Sequence, residues 1–105
     1  MINIFRKKYE TLTPTQARAR LAEGAVLIDV RSTGEWNAGH APEARHVPLD
    51  TLETKLGSLP KSTPVVAICA SGMRSASAAR ILSDHGYAAS TVSGGMSAWN
   101  RSSAK

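Results

Sequence analysis

The stretch that decides the fold is residues 65–75, which reads VVAICASGMRS. Its first four residues form a continuous apolar run, which is typical of a strand covered on both faces. Small residues follow at 70–72, and apolar side chains then recur at helical spacing over residues 75–85. The stretch therefore predicts a strand, a tight loop and a helix, with Cys69 at the carboxyl end of the strand.

Strands and helices alternate through the rest of the chain. Further strands are predicted at Ala25–Val30, near Arg45–Val47 and near Ser90–Val92. Helices are predicted from a capping box at Thr13, around Glu35-Trp36, from a capping box at Asp50, and from Met96 to Trp99. This order predicts an α/β fold with a central, mainly parallel sheet of four to five strands and helices on both faces. Such sheets bind ligands outside the carboxyl ends of their strands, where Cys69 is expected.

Length and composition indicate one globular domain. The chain has 105 residues, of which 42% are hydrophobic and 20% charged, and chains of this length seldom divide into two cores. We therefore expect a single domain over residues 1–105. No apolar run is long enough for a signal peptide or a membrane span, so we expect a cytoplasmic protein that does not bind a membrane.

Charge and cysteine content exclude several classes of function. The net charge of +5 would attract small anions and acidic partner surfaces, but the basic residues are scattered and the run at 6–8 is too short to predict nucleic-acid binding. The chain has one cysteine, Cys69, which excludes an internal disulfide and a dithiol redox pair. His40, His46 and His85 have no ligand spacing, so no metal site is predicted.

The loop after Cys69 predicts a reactive thiolate. Small residues let the backbone curl around the sulfur, so that successive N–H groups can point inward. The following helix contributes its positive end, and Arg74 contributes a full charge. All three effects favour the anionic sulfur and predict a lowered pKa. The alternative is that Cys69 is a buried apolar side chain, which would need neither the glycine, the arginine nor the helix N-terminus.

The loop Cys69-x-x-Gly72-x-Arg74-Ser75 resembles the active-site loop of rhodanese-like domains. Other segments of that family occur here in the same order: Asp29-Val30-Arg31, Glu35-Trp36, Gly39-His40-Ala41-Pro42, Val47-Pro48, Gly94-Gly95 and Ala98-Trp99. The resemblance covers about residues 12–99, which we expect to form the core of a rhodanese-like fold. Glu43, His46 and Ala70 depart from residues common in the family, and Ala70 leaves the donor preference open.

The resemblance implies a thiosulfate sulfurtransferase that works without a cofactor. Cys69 would be the catalytic nucleophile and would carry sulfur as a persulfide. The persulfide-binding loop would consist of Ala70, Ser71, Gly72, Met73, Arg74 and Ser75. Asp29 and Arg31 are expected to support the site structurally. The implied partners are a small anionic sulfur donor and an external acceptor, which could be cyanide, a thiol or a thioredoxin-type protein.

Two other functions compete with sulfur transfer. Phosphatases and arsenate reductases also use a cysteine and an arginine around an anion, but they resemble Cys-x5-Arg. This chain has four residues between Cys69 and Arg74, and the shorter loop favours a single sulfur atom over a tetrahedral oxyanion. The second alternative is a recognition domain without catalysis, which would typically lack the nucleophile.

Overall fold

The computed structural model describes residues 9–102. Within that range, five strands form one parallel sheet in the spatial order β1-β5-β4-β2-β3. The strands are β1 (Glu10–Leu12), β2 (Val26–Asp29), β3 (Arg45–His46), β4 (Val65–Ile68) and β5 (Ala89–Val92). The predicted α/β fold with a parallel sheet is confirmed, whereas the basic run at 6–8 lies outside the described residues.

Strands β2 and β4 lie inside the sheet. They pair in register, with Val26 opposite Val65 and Asp29 opposite Ile68. Their side chains are largely buried on both faces, which explains why both segments are nearly continuous apolar runs. Because the strands are parallel and in register, the residues that follow Asp29 and Ile68 emerge side by side at one edge of the sheet.

Helices cover both faces of the sheet, as predicted. They are α1 (Pro14–Ala22), α2 (Thr33–Asn37), α3 (Leu52–Lys55), α4 (Met73–Asp84) and α5 (Gly95–Ser102). On one face, side chains of α3 and α4 share a hydrophobic core with Ala67 and Cys69. On the other, side chains of α1 and α5 share a second core with Val66 and Ile68. The Cys69 side chain therefore points toward the α4 face.

The helix starts show what local sequence can predict. At α1, the capping box is confirmed: the Gln16 N–H donates to Thr13 Oγ1, and the Thr13 N–H donates to Gln16 Oε1. The capping box predicted at Asp50 is wrong, because residues Leu49–Thr51 already form a 3₁₀ turn that leads into α3. Asp50 thus lies within a helical turn and does not precede one.

Two further elements differ from the sequence prediction. Strand β1 was not predicted, because it has three residues and only Leu12 among them is buried. Helix α4 begins at Met73, two residues earlier than expected. Gly72 has a φ of 123°, a conformation that glycine adopts readily, and its carbonyl oxygen already accepts the N–H of Ala76. Among residues 9–102, no helix is long and apolar enough to cross a membrane.

Candidate active site

Cys69 lies directly after β4 and is 1% exposed. The chain then turns sharply, so that the Gly72 N–H donates to Cys69 Sγ at 3.0 Å. The turn requires glycine at position 72 because of its positive φ. Helix α4 begins at the next residue, and its N-terminus therefore lies beside the sulfur.

The carbonyl groups of the loop are held by α5. The Met96 N–H donates to the Cys69 carbonyl oxygen at 2.7 Å, and the Ser97 N–H approaches the Ala70 carbonyl oxygen at 3.5 Å. A β-carbon at Gly95 would collide with both of these carbonyl groups, so the close approach requires glycine there. With these carbonyls directed toward α5, the N–H groups of the loop are free to face the sulfur.

Two buried hydroxyl groups lie beneath the sulfur. Ser75 Oγ is 3.5 Å from Cys69 Sγ and 2.5 Å from Thr91 Oγ1. Ser75 Oγ also donates to the Gly72 carbonyl oxygen at 3.2 Å. Ser75 was predicted from its position in the loop, but Thr91 was missed. The available signal was a threonine in the strand that pairs with β4.

Burial and hydrogen bonding have opposite effects on the thiol. Burial is the largest single influence and raises the pKa of Cys69. Hydrogen bonds from the hydroxyl and N–H of Ser75, and from the N–H groups of Gly72 and Ser71, together outweigh it, so the pKa of Cys69 lies below its ordinary value of 9.0. The direction agrees with the sequence prediction. A lowered pKa increases the fraction of thiolate, which is the nucleophilic form.

Asp29 and Arg31 form a buried ion pair at the carboxyl end of β2. Arg31 Nη2 lies 2.8 Å from Asp29 Oδ2, and the Arg31 side chain also donates to the Gly39 carbonyl oxygen at 2.7 Å. The Arg31 N–H donates to Asp29 Oδ1 at 3.0 Å. These contacts fix the turn after β2, next to the segment that follows β4.

Arg74 pairs with Glu35 of α2 and, within residues 9–102, makes no hydrogen bond to Cys69 Sγ. Its two terminal nitrogens donate to the two carboxylate oxygens at 2.6 and 2.9 Å. This pairing, together with the Ser32 N–H, holds the pKa of Glu35 at about 2, and the carboxylate in turn raises the pKa of Arg74. Glu35 was predicted only as part of a helical turn. Its sequence signal was Ser32-x-x-Glu35, which forms a capping box in the structure.

Two clefts open on either side of this ion pair. One has a volume of about 340 Å³, and its walls include Val30, Leu49, Arg31 and Arg74. The other has a volume of about 420 Å³, and its walls include Glu35 and, again, Arg31. Both clefts therefore lie at the carboxyl edge of the sheet, and Arg31 forms part of the wall of each.

The aromatic residues near the site pack structurally, as predicted. The Trp36 ring is stacked with His40 at a centroid distance of 3.5 Å and with His46 at 4.7 Å. His40 Nδ1 is 3.0 Å from the Trp36 carbonyl oxygen, and His46 Nε2 is 2.9 Å from that of Arg31. Trp99 is buried on the opposite face of the sheet. Within residues 9–102, no group of three or more potential ligands could hold a metal ion.

Comparison with known proteins decides the family, because residues 13–102 match the family model of the rhodanese-like domain. The chain belongs to the rhodanese-like domain family. A rhodanese-like domain protein from Staphylococcus aureus is 34% identical, with a TM-score of 0.79 over 86% of this chain and 90% of that one. A human single-domain sulfurtransferase is 29% identical, with a TM-score of 0.74 over 87% of this chain and 95% of that one.

A third similar structure is much longer than this rhodanese-like domain. It is the reduced CoADR-RHD protein of Bacillus anthracis, which is 30% identical with a TM-score of 0.81. The match covers 89% of this chain but 17% of the Bacillus protein. The family and the single-domain neighbours support sulfur transfer as the general activity of this rhodanese-like domain.

The rhodanese-like loop brings together only part of the residue set predicted from the sequence. Hydrogen bonds to the sulfur come from Ser71, Gly72 and Ser75. Ala70 faces α5 through its carbonyl group, and the Met73 side chain is 83% exposed. Met73 therefore contributes the start of α4 and an exposed apolar side chain, and the role in holding a persulfide that was predicted for its backbone N–H stays a prediction.

Proposed function

We propose that this rhodanese-like domain is a thiosulfate sulfurtransferase that carries sulfur as a persulfide on Cys69. The observation that supports the proposal best is the environment of Cys69 Sγ. It is a buried sulfur at the carboxyl end of a central strand, surrounded by N–H and hydroxyl donors that lower its pKa. Such donors stabilise an anionic sulfur much as an oxyanion hole stabilises an oxygen.

The reaction would proceed by two displacements at sulfur. In the first, the Cys69 thiolate attacks the outer sulfur of thiosulfate, the S–S bond of thiosulfate breaks, and sulfite leaves with the electron pair. In the second, a thiophilic acceptor attacks the outer sulfur of the persulfide. The bond to Sγ then breaks, and Cys69 leaves as the thiolate.

The loop residues would have distinct roles in this cycle. The N–H groups of Ser71 and Gly72 would stabilise negative charge on the sulfur. Arg74 would attract the anionic donor, because Glu35 occupies one N–H from each of two nitrogens of a guanidinium that has five N–H donors. Asp29 and Arg31 would support the site without touching the reacting atoms.

The acceptor would have to come from outside the chain. Cys69 is the one cysteine in the sequence, so no internal thiol can take the outer sulfur. Cyanide, a small thiol or a thioredoxin-type protein would serve as acceptors. We also propose the cytoplasm as the location, because a reducing compartment keeps a lone thiol available for the next cycle.

Phosphatase chemistry is less well supported by the geometry. A cysteine phosphatase needs its arginine beside the oxyanion at the cysteine, whereas Arg74 here pairs with Glu35. A recognition domain without catalysis would have no need for a thiol whose pKa is lowered by its surroundings.

Intact-protein mass spectrometry tests the proposed function directly. After incubation with thiosulfate, we expect the wild type to gain one sulfur atom, about 32 Da, and to lose it on addition of cyanide. Cys69→Ser should gain nothing, and because the chain has a single cysteine the added mass is assigned without mapping. A folded wild-type protein that gains no mass would exclude thiosulfate as the donor.

A further inference from the structure

The two buried hydroxyl groups beneath Cys69 belong to different elements. Ser75 lies in the first turn of α4 and Thr91 in β5, and their side-chain oxygens are 2.5 Å apart. Ser75 is 0% exposed and Thr91 is 4% exposed. Neither hydroxyl can therefore exchange its partner for bulk water, and each proton must go to a protein acceptor.

Counting protons gives the direction of this hydrogen bond. Across residues 9–102, the side-chain oxygen of Thr91 has one hydrogen-bond partner, Ser75 Oγ. A buried hydroxyl that does not donate is costly, so the Thr91 proton goes to Ser75. The single proton of Ser75 is then left for its two other neighbours, the Gly72 carbonyl oxygen at 3.2 Å and Cys69 Sγ at 3.5 Å.

We propose that Thr91 is a positioning residue for the sulfur chemistry: by donating to Ser75, it holds and polarises the Ser75 hydroxyl and so strengthens the hydrogen bond that this hydroxyl donates to Cys69. The inference rests on the proposed function, in which Sγ carries negative charge at two points of the cycle. Strand β5, which contributes no atom to the loop, thereby influences the hydrogen-bond donor Ser75.

The choice of acceptor at Ser75 follows the charge on the sulfur. When Cys69 is a thiol, Ser75 donates to the Gly72 carbonyl oxygen and accepts from both Thr91 and the thiol. When Cys69 is a thiolate, the Ser75 hydroxyl rotates to donate to Sγ. Once the outer sulfur is bonded to Sγ, the charge moves outward and Ser75 returns to Gly72. In the second displacement, the Ser75 proton again stabilises Sγ as it leaves.

Other charged groups also act on the sulfur, and they stay in place when Thr91 is changed. Arg74 on α4 is close enough to Cys69 for the two charges to interact, and it is paired with Glu35 of α2. Asp29 lies at the end of β2 and is paired with Arg31. Within residues 9–102, the Thr91 hydroxyl is hydrogen-bonded to Ser75 and to none of these four charged residues, so an uncharged substitution of Thr91 isolates the hydroxyl.

The test is the pH dependence of Cys69 alkylation by iodoacetamide, supported by the ultraviolet absorbance of the thiolate. Thr91→Val keeps the shape of the side chain and removes the hydroxyl. Below the wild-type midpoint, we expect this variant to react about two- to fourfold more slowly, because a Ser75 hydroxyl that no longer accepts from Thr91 is a weaker donor to the thiolate and less of the sulfur is ionised. Thr91→Ser retains the hydroxyl and should follow the wild type.

Three controls make the result specific. Ser90→Ala removes the neighbouring buried hydroxyl, which lies on the other face of β5, and should leave the alkylation profile unchanged. In a Ser75→Ala background, Thr91→Val should have no further effect, because the intermediate donor is gone. Circular dichroism establishes folding, and Thr91→Ala replaces Thr91→Val if the latter does not fold.

Either of two outcomes would overturn the inference: overlapping profiles for Thr91→Val and wild type, or an equal change in Thr91→Ser and Thr91→Val. Alkylation needs no sulfur donor, so the result is independent of the proposed function. If Thr91→Val is alkylated more slowly than the wild type but the wild type gains no sulfur from thiosulfate, only the sulfur-transfer proposal is refuted.

Discussion

Two arginine–carboxylate pairs lie at the carboxyl edge of the sheet and differ mainly in burial. The side chains of Asp29 and Arg31 are 0% and 10% exposed, whereas those of Glu35 and Arg74 are 37% and 38% exposed. Removing one partner from a buried pair leaves a charge without solvent or counter-charge. Removing one partner from a half-exposed pair leaves a charge that water can solvate. The first pair should therefore control stability, and the second is free to act on ligands.

The largest effect is expected from breaking the buried pair. Arg31→Met should lower the free energy of unfolding by about 3–5 kcal/mol, because Asp29 would remain buried and unpaired. Denaturant unfolding measures the change. The double variant Asp29→Asn/Arg31→Met should lose less than Arg31→Met alone, since it removes both charges. A loss below about 1 kcal/mol in Arg31→Met would contradict the role given to burial.

Breaking the half-exposed pair of Glu35 and Arg74 should slow the reaction and have little effect on stability. Arg74→Met should slow sulfur loading from thiosulfate by about one to two orders of magnitude, because the donor anion loses its positive contact. The rate of sulfur loading is measured by stopping the incubation at set times and determining the intact mass of the protein. Arg80→Met is the matched control, since Arg80 is exposed on the same helix and its loss changes the net charge equally. Equal slowing in both variants would indicate a general charge effect and not a contact.

The smallest expected effect is the pH dependence of folding stability that comes from the half-exposed pair of Glu35 and Arg74. The folded-state pKa of Glu35 is about 2, below its ordinary value of 4.5. The carboxylate therefore stabilises the folded state above pH 4.5, and this contribution is lost as the pH falls from 4.5 toward 2. Wild type and Glu35→Gln should differ in denaturation midpoint at neutral pH and converge in acid. Glu53→Gln removes a carboxylate that is 67% exposed and serves as the control for the loss of one negative charge.

The sequence predicted elements whose signal is local. The apolar runs of β2 and β4, the capping box at Thr13 and the small residues after Cys69 each depend on neighbours in the chain. These features were enough to predict the parallel sheet and the position of Cys69 at its carboxyl edge.

Features that depend on distant parts of the chain were missed. Glu35 and Arg74 are 39 residues apart and lie on different elements, and no periodicity relates them. Thr91 reaches Ser75 only because β5 pairs with β4. Strand β1 is an edge strand of three residues, and its pairing with β5 determines its conformation more than its own sequence does. Such contacts follow from the topology of the sheet, which the local secondary-structure propensities of the residues do not encode.

The bond from the Met96 N–H to the Cys69 carbonyl makes the reactivity of the sulfur depend on a distant helix. The two residues are far apart in sequence, and long loops must close before such contacts form. A chain in which α5 has not docked lacks this hold on the loop, and we expect its Cys69 to react as an ordinary thiol. The alkylation rate of Cys69 would then report whether α5 is in place.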